Sequence, residues 1–314
     1  MNPAKMDQTA YIKESNFVLA QKGKTFFWSK FLLQKKQATK AVRLYRFCRY
    51  VDDVADETLD TVLAHHTLLQ IIEDLKLGAS HHPILEDAIK LFNESQIEID
   101  IPISLIQGVI SDLSQVKLAD EKALMVYCYQ VAGTVGLMMS KILAIKDDQA
   151  FAHAIDLGIA MQLTNICRDV AEDAQMNRRY LPASLVGDIE PYAILKPDPQ
   201  TQNSIKMAIA TLLNNANEYY QSGYHGLCFL PLRARLAIAV ASGLYRHIGI
   251  RIANKHYRYW AKRSTVSNKL KIWLTINILA RCLVASDFHR YVKPHRADLH
   301  EYIKELPYAH AQPN

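Results

Sequence analysis

The hydrophobic and polar positions of this chain follow the pattern of helices almost throughout. Long stretches are rich in Ala, Leu, Ile, Lys and Gln, and no stretch shows the strict alternation of apolar and polar residues that marks a half-buried strand. Gly and Pro are sparse, at 11 each in 314 residues, and the sequence contains no Asn-Gly or Asp-Gly hairpin signal. The pattern therefore predicts an all-α protein.

Four interruptions of this pattern predict where helices end: residues 78–83, 99–102, 146–148 and 187–200. Only the last is long. It is either a flap beside a functional site, since long ordered loops in compact domains are often lids, or a plain surface connection. The length permits one large domain or two small ones, and no internal repeat indicates a solenoid.

Two pairs of aspartates carry the strongest chemical signal. Asp52 and Asp56 stand four residues apart, as do Asp169 and Asp173, so on a helix each pair shares one face. Like charges at this spacing repel each other, and paired oxygen ligands suit a hard cation such as Mg2+. Two such pairs on facing helices predict a clamp for a diphosphate group.

Each pair belongs to a longer polar stripe. The stripes consist of Tyr45, Arg49, Asp52 and Asp56, and of Gln162, Asn165, Asp169 and Asp173. Taken alone, the first stripe is equally compatible with a solvated helix face that holds an Arg–Asp pair. The second stripe lies on a helix whose other face is apolar, so its polar groups need buried partners. Mg2+ together with Arg168 would supply them, and so would hydrogen bonds to other helices.

The clamp and the chemistry beside it need cationic and aromatic side chains. Arg49, Arg168 and Arg178 are candidates to complete the clamp, because guanidinium groups bind diphosphate oxygens in a bidentate manner. Ionisation of an allylic diphosphate leaves a carbocation, which needs a water-free pocket with aromatic faces. The aromatic candidates are Phe26, Tyr45, Tyr127 and Tyr245. Ordinary core packing explains each of them taken singly.

Small residues and histidines give weaker signals. Gly133 and Gly136 lie with Ala132 in a predicted helix, where glycine costs about 1 kcal/mol relative to alanine. Either close helix packing or room for a ligand chain explains them. None of the twelve histidines lies at a ligand spacing beside an acidic pair, so we expect them at the surface.

The charge of the chain is unevenly distributed. Residues 251–314 contain 12 Lys/Arg and 4 Asp/Glu, a local net charge of +8 in a chain whose total is +6. Diphosphates or an anionic membrane surface are the expected partners. Nucleic acid is a poor candidate, because the sequence has no recognised binding motif and the acidic pairs would oppose a phosphate backbone.

Cysteine usage and hydropathy bear on the compartment. The five cysteines are scattered and form no C-x-x-C pair, so neither a disulfide framework nor a zinc site is indicated, and a reducing cytoplasm fits. The N-terminal residues show no apolar leader, and Asn277 and Arg281 interrupt the apolar stretch at 272–285. We therefore expect a soluble or peripheral protein.

Five ordered motifs resemble the squalene and phytoene synthase family, over about residues 18–274. They are KGKTF (22–26), LYRFCRYVDDVADE (44–57), YCYQVAGTVG (127–136), QLTNICRDVAEDA with RRYLP (162–182) and LPLRARLAIAVASGLYRHIGIRI (230–252). The last motif, with WAKRSTVSNKL (260–270), is most similar to bacterial phytoene synthases. The resemblance implies an isoprenoid synthase fold: a single helical bundle domain over residues 1–314 around a central cavity, with residues 275–314 as a basic C-terminal extension.

The same resemblance implies roles for particular residues. Mg2+ ions, for which Mn2+ can substitute, would be held by Asp52, Asp56, Asn165, Asp169 and Asp173. The substrate diphosphate or chain would be contacted by Lys24, Thr25, Tyr45, Arg49, Gln162, Arg168 and Tyr245. Replacing Asp52 or Asp169 by Asn is expected to leave the metal-free protein at least as stable, because one of two close carboxylates is removed.

The implied reaction is the head-to-head condensation of two geranylgeranyl diphosphates to phytoene, through prephytoene diphosphate, in carotenoid biosynthesis. It ends in proton loss, so no NADPH is expected. The nearest alternative is a squalene or dehydrosqualene synthase that acts on farnesyl diphosphate.

The protein is expected in the cytoplasm, peripherally on the inner face of the membrane, because a hydrocarbon product must leave into lipid. Its oligomeric state stays open.

Two further classes also fit part of the pattern. DDVAD at 52–56 matches the D-D-x-x-D motif of head-to-tail prenyltransferases and terpene cyclases, but NICRDVAED at 165–173 resembles the head-to-head family. A non-catalytic relative would be expected to lose Asp or Arg ligands, and none is lost in these motifs.

Overall fold

The computed structural model describes residues 8–261, 263–291 and 293–309, and it confirms the all-α prediction: these residues form helices and no strand, apart from one isolated bridge between Lys117 and Arg179. The α-helices are α1 Gln8–Lys22, α2 Lys24–Ser29, α3 Lys35–Glu57, α4 Thr61–Leu77, α5 Pro83–Ser95, α6 Asp100–Ser111, α7 Glu121–Cys128, α8 Thr134–Ile142, α9 Gln149–Gln175, α10 Ala183–Val186, α11 Pro191–Leu195, α12 Pro199–His225, α13 Leu232–Asn254, α14 Asn268–Val284 and α15 Ser286–His289.

The predicted interruptions coincide with helix ends. Gly78 ends α4 in the left-handed conformation, with φ of +68°, and α5 starts at Pro83. Residues 143–148 separate α8 from α9. The break predicted at 99–102 falls slightly earlier, at 96–99, because α6 already begins at Asp100. Local polar chemistry therefore determines these boundaries to within a few residues.

The long interruption at 187–200 is packed against the protein. It contains the short helix α11, whose Pro191 and Ile194 are buried, and α11 lies against α9. The buried Arg179 guanidinium donates a hydrogen bond of 2.9 Å to the Asp188 carboxylate at the start of the segment. These contacts hold the segment beside the second acidic motif.

Helix α9 runs through the core and packs against α8, α12 and α13. Close approach to α8 and to the turn before it depends on glycine: a Cβ on Gly136 of α8 would lie 2.1 Å from the carbonyl oxygen of Ala154, and one on Gly158 of α9 would lie 2.2 Å from that of Ala132 in the turn. Both distances are far below van der Waals contact. A π-helical turn at Tyr129–Gly133 joins α7 to α8 beside this contact. Close packing therefore explains the glycines in this part of the chain.

Two helical stretches are long and apolar enough to cross a membrane, judged by length and composition alone. They are Glu121–Ile142, which includes the π-helical turn, and Leu232–Asn254. Both contribute to the core, for example through the fully buried Leu137 and Val240. Buried core helices share this composition, so the two stretches are weak evidence for a membrane span.

The residues after α15 return to α9 and bury histidines, so the expectation of surface histidines is wrong for three of them. The fully buried carboxylate of Asp156 on α9 accepts hydrogen bonds of 2.8 Å from Nε2 of His295 and from Nε2 of His300. His153, one turn earlier on α9, is also buried. The error arose because spacing along the chain does not reveal that residues 295 and 300 meet residue 156.

His300 is a cation in this arrangement. Its Nδ1 faces the carbonyl oxygen of Ala309 at 2.9 Å and its Nε2 faces Asp156, so both ring nitrogens must carry a proton. Burial disfavours this charge, but the bond to Asp156 outweighs it and raises the pKa of His300 above its ordinary value. The C-terminal residues are thus held by a buried ion pair.

We predict that His300→Gln destabilises the protein in a pH-dependent way. Because the pKa of His300 is raised in the folded state, its contribution is fully present below about pH 6.5 and is lost as the pH rises through the folded value. Asp156, whose pKa lies below its ordinary value, stays ionised over this range. The free energy of unfolding should fall by about 1–3 kcal/mol at pH 5.5 and by less at pH 9.

Denaturant unfolding of the parent and the variant at both pH values measures this difference. His66→Gln on the exposed face of α4 is the matched control and should change neither value. A loss of stability that is equal at the two pH values would contradict a cationic His300.

Candidate active site

The two acidic motifs meet at one cavity. Asp52 and Asp56 on α3 and Asp169 and Asp173 on α9 all line a space of about 260 Å³. Gln162 and Asn165 from the same stripe of α9 line it too, as do Tyr127 and Arg178. We call this space the acidic cavity. The structure therefore brings together both aspartate pairs, as the spacing predicts.

Carboxylates are crowded in the acidic cavity. Burial raises the pKa of Asp52 to about 7, and Asp56, Asp53 and Asp112 add to the rise. Burial likewise raises the pKa of Asp173 to about 8, with Asp169 as the main neighbouring charge. These groups lack enough positive charge around them, so they retain protons near neutral pH.

Arginines balance the other two aspartates. Nε of Arg263 and Nε of Arg168 each lie 2.7 Å from Oδ1 of Asp169, and Nη2 of Arg263 lies 2.7 Å from Oδ2. Although burial works against it, these hydrogen bonds hold the pKa of Asp169 below its ordinary value. Arg178 donates from Nη1 and Nη2 to Oδ1 of Asp56 at 3.2 Å.

Among the described residues, Asp52 lacks a close ion-pair partner and Asp169 has two, which changes what is expected of their Asn variants. The sequence predicts that both variants are at least as stable as the parent without metal. Asp52→Asn still removes a poorly balanced carboxylate, so relief of repulsion is expected. For Asp169 the structure argues against the expectation, because Asp169→Asn would replace the carboxylate that Arg168 and Arg263 share by a neutral amide. That variant should be less stable than the parent.

The donor set of the acidic cavity fits Mg2+. Its side chains are oxygen ligands from two facing helices, which is the chemistry that Mg2+ prefers. Oδ1 of Asn165 is buried and has no hydrogen-bond partner among the described residues, as expected for an atom that a cation would engage. The residues that would hold the metal are Asp52, Asp56, Asn165, Asp169 and Asp173.

Three residues at the site are not marked by any pattern in the sequence: Asp112, Tyr180 and Arg263. Asp112, at the end of α6, accepts hydrogen bonds from the hydroxyls of Tyr180 at 2.8 Å and Tyr127 at 2.9 Å, whose rings stack 4.9 Å apart. Burial raises the pKa of Asp112 to about 6. Asp112 stands alone in its segment, so no spacing marks it. Tyr180 and Arg263 lie in motifs that resemble the family, but nothing in the chain singles them out.

A second, apolar cavity of about 310 Å³ adjoins the acidic cavity. The two share Asp52, Gln162, Asn165 and Val131 as lining residues. Tyr45, Phe26 and Tyr245 line the apolar cavity, and the rings of Phe26 and Tyr245 lie 5.6 Å apart. Burial raises the pKa of Tyr45 to about 12, so its phenol stays protonated. Ala132, Gly136 and Gly158 also border this space, so the small residues both permit close packing and leave room for a ligand.

Two other predicted substrate-binding residues, Arg49 and Arg168, line neither the acidic nor the apolar cavity. Arg49 forms an ion pair with Asp53, one turn along α3, and borders neither cavity. Arg168 is engaged by its neighbour Asp169 and likewise borders neither cavity. The side chains of Lys24 and Thr25 lie outside the described residues.

Known proteins are similar to this chain in sequence. A family model for squalene/phytoene synthase matches residues 19–270, close to the predicted extent. A 15-cis-phytoene synthase of Enterobacter agglomerans is 32% identical over 288 residues, which cover 88% of this chain and 97% of the relative. Another, of Pantoea ananas, is 30% identical over 299 residues, which cover 89% and 94%.

A solved structure has the same fold as this chain. A dehydrosqualene synthase in complex with ligand superposes with a TM-score of 0.78 at 25% identity, over 87% of this chain and 97% of that chain. The isoprenoid synthase fold is thereby confirmed. The chain belongs to the squalene/phytoene synthase family.

Proposed function

We propose that this protein condenses two geranylgeranyl diphosphates head to head, through prephytoene diphosphate, and releases phytoene for carotenoid biosynthesis. The observation that carries the proposal is the junction of the two cavities at Asp52, Gln162 and Asn165. A diphosphate held in the acidic cavity extends its hydrocarbon into the apolar one. Membership of a prenyltransferase family and the names of the bacterial relatives support the same activity.

The residues of the acidic cavity bind and orient the diphosphate. Mg2+, when bound, neutralises the diphosphate and makes it a better leaving group. Arg178 offers a guanidinium at the same cavity, and its bond to the exposed Asp56 is weak enough to exchange for a diphosphate oxygen. The protonated phenol of Tyr45 can donate a hydrogen bond to substrate.

The residues of the apolar cavity protect the cation that ionisation leaves behind. Its lining is dominated by aliphatic and aromatic side chains, which exclude water. The rings of Phe26 and Tyr245 line this space, and a ring face turned toward a nearby cation stabilises it by about 0.5–2 kcal/mol. Loss of a proton then ends the reaction without a reductant.

A second candidate activity differs in chain length. The matching solved structure is named a dehydrosqualene synthase, so a shorter, C15 substrate with the same ionisation chemistry is the alternative. In that case the acidic cavity and the first half-reaction would be unchanged, and only the depth of the apolar cavity would differ.

We predict that the purified protein converts geranylgeranyl diphosphate to phytoene with Mg2+ or Mn2+, equally well with and without NADPH. Chelation with EDTA should stop turnover. Asp52→Asn and Asp169→Asn should lower kcat at least about a hundredfold, because each removes a ligand charge from the acidic cavity. Glu57→Gln, an exposed carboxylate at the end of α3, is the control and should keep the parent rate.

Product analysis by chromatography and mass spectrometry separates the alternatives. A strict NADPH requirement, or squalene formed from farnesyl diphosphate without reaction of the C20 substrate, would move the assignment to squalene synthase. Dehydrosqualene formed from farnesyl diphosphate without reaction of the C20 substrate would move it to dehydrosqualene synthase. Near-parental rates in either Asp variant would contradict the metal assignment.

We also propose a cytoplasmic protein that binds the membrane peripherally through α14. This helix exposes Ile272, Trp273 and Ile276 on one side, and the exposed basic residue Lys269 lies on the same side in its first turn. An apolar strip with basic residues fits an anionic lipid surface. The indole of Trp28, two residues from the cavity-lining Phe26, donates a hydrogen bond of 3.1 Å to Thr275 of α14, so this surface adjoins the cavity wall.

Cosedimentation with vesicles tests the membrane proposal. The parent should bind vesicles rich in phosphatidylglycerol at low salt and be released at high salt. Trp273→Ser should weaken binding about tenfold, since burial of one large apolar side chain stabilises by about 1.5–3 kcal/mol. Tyr192→Ser, which removes another exposed ring, on α11, is the control. Equal binding of the parent and Trp273→Ser would argue against α14 as the contact.

A further inference from the structure

A chain of hydrogen bonds links the C-terminal residues to the apolar cavity. Asp156 on α9 is bound by His295 and His300, and it also accepts a hydrogen bond from the hydroxyl of Ser222 on α12. Ser222 in turn lies 2.9 Å from Nδ1 of His153. The two C-terminal histidines come after residue 270, where the match to the family ends.

The protons in this chain can be assigned. Ser222 uses its own proton toward the ionised Asp156, so its oxygen accepts the proton on Nδ1 of His153. Burial lowers the pKa of His153 to about 4, so the ring is neutral. Nε2 of His295 and Nε2 of His300 each donate at 2.8 Å to a different oxygen of the Asp156 carboxylate. The cluster is therefore a positioning network for one imidazole.

That imidazole lies at the far end of the apolar cavity. The lining follows α9 from Asn165, at the acidic cavity, to His153, twelve residues or about 18 Å along the helix. Leu143, Ala150 and Leu227 surround this end and are all buried, so the cavity ends inside the protein.

His153 cannot easily move away from this position. A Cβ on Gly226 would lie 2.2 Å from Cβ of His153, so the backbone of the Gly226–Phe229 turn already rests against it. The ring of Phe229 stacks on the imidazole at 6.4 Å, and the ring of Tyr291 meets it edge-on at 5.9 Å. The imidazole is thus fixed by packing on two sides and by Ser222.

We propose that His153 is a specificity-determining residue that sets the depth of the apolar cavity and so the length of the prenyl chain. Ser222 and Asp156 act through it as positioning residues. The inference rests on the proposed function, because it assumes that the cavity holds a prenyl chain. An isoprene unit that reaches the end of the cavity must meet the imidazole and the wall behind it.

The test measures kcat/KM with farnesyl (C15), geranylgeranyl (C20) and farnesylgeranyl (C25) diphosphates. His153→Ala should raise the C25:C20 ratio by about tenfold or more, since space for added methylene groups changes specificity on this scale. Ser222→Ala should raise the same ratio by a smaller factor, because the ring remains but is no longer held. His66→Ala, exposed on α4, should leave the ratios unchanged.

A second variant, which fills the end of the cavity instead of enlarging it, keeps the proposal testable if His153→Ala does not fold. Ala150 lies one turn before His153 and lines the same end, so Ala150→Leu should lower the C20:C15 ratio about tenfold. Circular dichroism and thermal unfolding identify the folded variants. If the folded variants keep the parent's ratios of kcat/KM among the three substrates, the inference is overturned. Failure of the parent to couple any of the three substrates would refute the proposed function itself.

Discussion

Burial of closely spaced carboxyl groups around one cavity is the constraint on which the rest of the site depends. Asp52, Asp112 and Asp173 all have raised pKa values because they are buried close to other carboxylates. Arginines form ion pairs with Asp56 and Asp169. A folded protein tolerates such crowding at a cost of stability, and any cation that enters the cavity lowers that cost. Ligand binding and stability are therefore coupled at this place.

Helix α9 connects this site to the remainder of the molecule. Its C-terminal half carries Asn165, Asp169 and Asp173, its middle forms the cavity wall, and its N-terminal half carries Asp156. Asp156 and Asp169 are thirteen residues apart, about 20 Å along a rigid helix. The position of the C-terminal residues, the end of the apolar cavity and the acidic cavity are thus fixed relative to one another.

The features that the sequence predicts well are those encoded within one helix. The spacing of Asp52 with Asp56, and of Asp169 with Asp173, places each pair on one face, and the structure has them at one cavity. Helix boundaries follow from local signals such as Gly78 and Pro83. These properties depend on neighbours within a few residues, which a sequence displays directly.

The features that the sequence misses depend on contacts between distant segments. Asp112 meets Tyr180 across 68 residues, Arg263 meets Asp169 across 94, and His300 meets Asp156 across 144. The spacing of residues along the sequence does not reveal such pairs. The same reason explains why the sequence misjudges the surroundings of Asp169: its near neighbour on the helix is a carboxylate, but its partners include an arginine from a remote loop.

Calorimetric titration of inorganic pyrophosphate into the protein tests the central claim, that the two acidic helices form one cation-dependent diphosphate site. Pyrophosphate should bind the parent in the presence of Mg2+ and much more weakly in EDTA, and Asp173→Asn should weaken the Mg2+-dependent binding at least about tenfold. Glu57→Gln should bind like the parent. Equal affinity with and without Mg2+, or an unchanged affinity in Asp173→Asn, would contradict the account.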